Sequence, residues 1–131
     1  MVKRWIIMIV IFVALVVGGI IETTYTQNTF KWLVNSLEAY EIELIENKAK
    51  VDEQKLIEKI YHIDNEWNKR VKVLKCLVWH SGVKDIEVGL ARVAVYVEEN
   101  DFTEAYAETA ALIDYSVHCL DDFMITIENI L

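Results

Sequence analysis

The 131-residue sequence contains no proline and only four glycines, Gly18, Gly19, Gly82 and Gly89. Proline lacks an N–H and clashes with the preceding helical turn, so its absence removes the usual helix breaker. A domain of many short strands needs more turn residues than this chain has. Basic residues are also scarce, with 13 Lys and Arg against 21 Asp and Glu and a formal net charge of −8. Lys3 and Arg4 sit at the start, so everything after them carries 11 basic residues against 21 acidic ones, a net of −10. Nucleic-acid binding depends on neutralising phosphates, which excludes that partner class. Anionic lipid head groups are equally poor partners for such a surface. A cationic partner, divalent ions or a simply solvated surface all fit it.

Motifs of catalysis are missing too. There is no Gly-rich phosphate loop, no nucleophile elbow and no zinc-protease helix motif. The neighbouring carboxylates Glu41 with Glu43, Glu98 with Glu99 and Asp121 with Asp122 read as exposed turns and helix faces. Acid–base catalysis needs two carboxyls held in different environments within a cleft. No catalytic residue, cofactor or metal is expected, and the chain reads as a non-enzyme.

One long apolar run is present. Trp5–Ile21 holds 17 residues without a charge, Phe12 and Gly18 among them. At 1.5 Å per residue it reaches about 26 Å, against about 30 Å for a hydrocarbon core. Trp5 and the stretch around Thr23–Tyr25 suit the two interfaces. Lys3 and Arg4 before the run and Glu22 after it place the N-terminus in the cytoplasm and the rest outside, as a single-pass protein of the cell membrane. The competing reading is a cleaved signal peptide. Against it, the run exceeds a usual signal core and no Ala-x-Ala site follows. Ala14 and Gly18 form one small-xxx-small pair, which would let two anchors pack closely. Residues 1–22 thus read as anchor and 23–131 as an acidic outer domain.

The outer domain reads as all-α, an antiparallel bundle of about four helices built from two helical hairpins. Phe30, Leu33, Leu37, Tyr40 and Leu44 recur at three and four, which predicts a helix over 24–46 continuing from the anchor. Leu56, Ile60, Ile63, Trp67, Val71, Leu74 and Val78 predict a second over 53–80, capped by Asp52 and ended by Gly82 in a left-handed C-terminal conformation. Ile86, Leu90, Val93 and Val97 predict a third over 84–99. Asn100-Asp101 forms the next turn, with Asp101 as cap. The fourth helix starts at Phe102, turns Ala105, Thr109, Leu112, Ile113 and Leu120 inward, and is interrupted or bent at Asp121-Asp122. The apolar Ile125, Ile127, Ile130 and Leu131 predict a docked tail. Asp52–Leu56 and Asp101–Ala105 occupy matching places in the two hairpins, a hint of duplication that one aspartate does not establish.

Two constellations bear on ligands. Cys76 and His80 share a helix face, and His118 and Cys119 would approach them if the second and fourth helices were adjacent. Adjacent His118 and Cys119 diverge by about 100°, however, which opposes a common ion. Cys76 and Cys119 are either a disulfide or two buried thiols.

The run from Trp79 to Tyr96 carries a family resemblance. Trp67, His80, Ile86-Glu87, Leu90, Arg92 and Tyr96, together with Ala105–Leu112 and Asn129-Ile130-Leu131, resemble domain-of-unknown-function family 4363 over essentially the whole chain, anchor included. The resemblance implies a short, N-terminally anchored helical protein of spore-forming Gram-positive bacteria, and it implies no activity. It also groups His80, Glu87 and Arg92 as a polar cluster where helices two and three meet. Such a cluster either fixes the hairpin or forms a site. The expected function is an accessory module docking another protein, or itself, at the membrane. Alternatives are an extracytoplasmic sensor of a cation or small ligand, and a small subunit of a larger membrane complex.

Overall fold

The computed structural model describes residues 1–46, 53–74 and 80–130, the side chains at 53, 73–74, 80–81 and 123–130 excepted. Four helices make up these residues: α1 Val2–Glu46, α2 Glu53–Leu74, α3 His80–Glu98 and α4 Phe102–Ile130. No strand occurs among them.

α1 is 45 residues long without a break, so it reaches about 67 Å. It runs straight through the expected boundary at 22/23. Its two halves differ in what covers them. Residues 1–21 are exposed throughout. From Thr26 onward one face is buried, through Thr29, Phe30, Leu33, Leu37, Tyr40 and Leu44. Thr23 and Thr26 satisfy their hydroxyls locally by donating to the Gly19 and Glu22 carbonyls four residues back.

The helices pack in a ring. Each touches its neighbours in chain order, and α4 closes on α1. Among the described residues α1 and α3 are diagonal, as are α2 and α4. Leu56, Ile60, Ile63, Trp67 and Val71 from α2, with Ile86, Leu90, Val93 and Val97 from α3, complete the core as their spacing predicts. Trp67 is fully buried and meets Phe30 edge-on, with ring centroids 5.8 Å apart and planes at 68°. That geometry matches the quadrupoles of the two rings. Two α1 tyrosines lock α2 in register: Tyr25 donates to the Arg70 carbonyl at 3.2 Å and Tyr40 to the Leu56 carbonyl at 3.0 Å. Glu66 pairs with Arg70 at 3.8 Å, and the Arg70 guanidinium lies 4.4 Å over the Trp32 ring.

The second expected helix boundary moves. α3 already begins at His80, so Ser81 and Gly82 lie inside a helix and no described glycine has a positive φ. Gly82 is buried within the helix and does not take the left-handed conformation of a helix end. The expected extension of α2 through Val78 and the cap at Asp52 fall outside the described residues, α2 being described over Glu53–Leu74.

The α3–α4 turn behaves as expected. Asn100 adopts φ 60°, a left-handed conformation that asparagine tolerates. Asp101 N–H donates to the Tyr96 carbonyl at 2.8 Å and Asn100 N–H to the Val97 carbonyl at 3.1 Å, the paired bonds of a Schellman end. Asp101 then caps α4, accepting from the Glu104 N–H at 3.2 Å. α4 continues for 29 residues, straight through Asp121-Asp122. Both aspartates are exposed, so solvent accepts their charge and the helix needs no break.

Removing the cap by Asp101→Ala should cost about 1 kcal/mol and lower the melting temperature by roughly 5 °C. Thermal unfolding followed by circular dichroism checks this, and an unchanged midpoint would refute the capping role.

Candidate functional site

The outer side of the α3–α4 pair offers the most distinctive surface. Gly89 and Leu112 form its floor. A Cβ built on Gly89 would stand 2.6 Å from a Leu112 methyl, so glycine permits this close approach of the helices. Arg92 and Glu108 bridge one side at 3.7 Å, and Tyr115 donates to Asp85 across the other at 3.0 Å. Between them lies an open depression of about 370 Å³. Burial and the Asp85 hydrogen bond both push the Tyr115 phenol above its ordinary range. Beside the depression, α3 presents Val88 and Val95 at 43% and 48% exposure, with Ala91 between them. Spacings of three and four place all three on one row of the helix. This row faces away from α1, because α3 is diagonal to it.

Helical geometry separates Glu87 from Arg92 within the His80, Glu87 and Arg92 group. Glu87 and Arg92 are five positions apart, about 140° around a helix. Glu87 lies on the α2 side, where its charge, after burial, helps to raise the Asp64 pKa. Arg92 lies on the α4 side with Glu108. His80 opens α3, and its side chain is outside the described residues.

The Cys/His constellation required α2 beside α4, and these helices are diagonal. His118 is exposed and hydrogen-bonds through Nδ1 to the Asp114 carbonyl at 3.0 Å. Cys119 is a buried free thiol whose pKa is raised by that burial. Adjacent in sequence, the two face opposite environments, as their angular spacing requires. Cys76 falls outside the described residues. Among the described residues no three His, Cys, Asp or Glu side chains converge as a metal site.

A scan of family models matches residues 20–130 to Domain of unknown function (DUF4363). The chain belongs to this family. The match covers the bundle and begins at the last turn of the apolar run, so residues 1–19 lie outside it, unlike the whole-chain resemblance read from sequence. No curated protein and no solved structure matches the chain.

Between α2 and α3, burial first and the nearby Glu87 charge second raise the Asp64 pKa above its usual 3.8. The folded state therefore holds that proton more tightly than the unfolded chain does. Ionised Asp64 weakens the fold at neutral pH, and the penalty fades as pH falls through the folded pKa. Because Asp64 is only partly buried, solvent screening keeps the effect to a few tenths of a kcal/mol. Asp64→Asn should raise the melting temperature by about 2 °C at pH 7 and by progressively less toward pH 4. A loss at pH 7, or a gain that persists undiminished at pH 4, would contradict it.

Proposed function

We propose that this protein is a membrane-anchored, non-enzymatic interaction module. The anchor is residues 5–21, with Lys3 and Arg4 on the cytoplasmic side and the acidic bundle outside. The observation that carries the reading is the bare first half of α1. Trp5, Ile6, Phe12, Leu15, Ile20 and Ile21 are each at least 54% exposed, on a helix long and apolar enough to cross a membrane. A bilayer would take up this apolar surface, which water opposes at roughly 25 cal/mol per Å².

The contact surface is the outward row Val88, Ala91 and Val95 of α3, set beside the Arg92–Glu108 and Tyr115–Asp85 bridges. It stands diagonal to α1, where the anchor leaves it open. The net of −10 beyond Lys3 and Arg4 favours a partner whose own apolar patch is ringed by basic residues. A photo-crosslinker at position 95, used in native membranes, tests this against a control at the exposed Asp114. The reading predicts a defined crosslinked protein from position 95 that is lost on Val88→Asp and absent from position 114. Monomer alone at both positions would overturn it, as would release of the uncrosslinked protein from membranes by alkaline carbonate.

A further inference from the structure

We infer that Lys69 and Lys72, on the outward side of α2, hold the phosphates of anionic phospholipids in the outer leaflet, so that the acidic bundle meets the membrane on a basic edge. The inference rests on the reading of α1 as the anchor and gives that anchor a lipid partner.

Height above the membrane carries it. The apolar run ends at Ile21, and α1 passes from it into the bundle without a break. α2 runs antiparallel to α1, because Tyr25 donates to the Arg70 carbonyl while Tyr40 donates to that of Leu56. Counting from the first pair puts Lys72 level with Thr23 and Lys69 level with Thr26, and the second pair agrees to within one residue. These levels lie about 3 and 8 Å beyond Ile21. The headgroup layer occupies about 6 Å on each side of the hydrocarbon. An anchor at 5–21 therefore delivers both lysines to the lipid phosphates, and their long stems reach the rest of the way. An ammonium is a strong point donor to phosphate oxygens.

A net of −10 makes anionic lipid a poor partner only if that charge is spread evenly, and it is not. Tyr106 is hydrogen-bonded to Glu41, so the start of α4 and the turn before it lie at the far end of the bundle. That end gathers Glu41, Glu43, Glu46, Glu98, Glu99 and Asp101. Glu41 stands about 30 Å beyond Ile21. Salt screens charges over about 8–10 Å, so these carboxylates do not reach the phosphates. Among the described residues, the acids near the lysines' own level are Glu22 on the Thr26 row of α1, Glu66 on α2, and Asp121 and Asp122 on α4. α4 is diagonal to α2, so its two aspartates lie across the ring. Glu66 is 3.7 Å from Lys69 and 3.8 Å from Arg70, whose guanidinium covers Trp32. On the last described turns of α2, one carboxylate thus stands among three cations, and the edge is positive. The Lys69 side chain is 73% exposed, and an exposed pair of this kind contributes little, so its ammonium exchanges Glu66 for phosphate readily.

Spin-labelled lipids test this on the full chain. The protein is reconstituted into phosphatidylcholine vesicles with a trace of chain-labelled phosphatidylglycerol or phosphatidylcholine, and electron resonance measures how strongly each lipid associates with it. Lys3 and Arg4 also favour the anionic lipid at the other face, so the comparison of variants is the readout. Preference for phosphatidylglycerol should fall about twofold when Lys69→Gln and Lys72→Gln are combined, and stay unchanged for Lys55→Gln with Lys59→Gln. An unchanged preference in the first variant, or an equal fall in both, would overturn the inference and leave the anchor standing. Loss of the preference on adding excess soluble glycerol phosphate would assign the lysines to a free anion and overturn lipid as the partner. Absence of any associated lipid would overturn the anchor as well.

Discussion

Everything else in the molecule depends on the continuity of α1. One helix supplies both the bare apolar segment and one wall of the core, with no glycine after Gly19 and no proline to bend it. A helix of about 67 Å transmits orientation from one end to the other. α2 and α4 pack directly on it, and among the described residues α3 sits across the ring, held by α2 and α4. The two tyrosine hydroxyls donated to α2 carbonyls, together with Trp67 against Phe30, fix α2 at a definite height on this mast. Among the described residues, Trp67 Nε1 and Thr29 Oγ1 are buried without a hydrogen-bond partner, so the tightest part of the core is held by shape and not by polar pairing.

The ring order gives the exposed surface its meaning. With α1 and α3 diagonal, the row of Val88, Ala91 and Val95 lies on the helix across the ring from α1. The close approach at Gly89 brings α4 near enough for Arg92 to meet Glu108 and for Tyr115 to meet Asp85. The apolar row with its paired polar margins is the surface on which the proposed protein contact rests.

The helical stripes were legible in the sequence because burial on a helix imposes a three-and-four spacing, and every inward residue expected in α3 is buried. The Asn100-Asp101 turn was legible for a similar reason, since a left-handed residue and a cap demand particular side chains. Glycine was ambiguous. Gly82 carries the same signal at a helix end as inside a helix, and only the start of α3 at His80 decides between them. Asp121-Asp122 looked like an interruption, yet two charges on a solvated face leave a helix intact. Pairings between helices were not legible. The Cys/His grouping assumed that α2 adjoins α4, and spacing along one helix says nothing about which helix lies opposite. Glu87 and Arg92 diverge for the same reason: five positions carry them to different neighbours.

The central claim is that anchor and bundle share one rigid helix. Spin labels introduced as non-natural residues at the exposed positions 8 and 38, in lipid nanodiscs, measure it most directly by pulsed electron resonance. Thirty residues of unbroken helix predict a single narrow distance near 45 Å. A broad distribution centred well below that value would place a hinge between membrane and bundle and contradict the account.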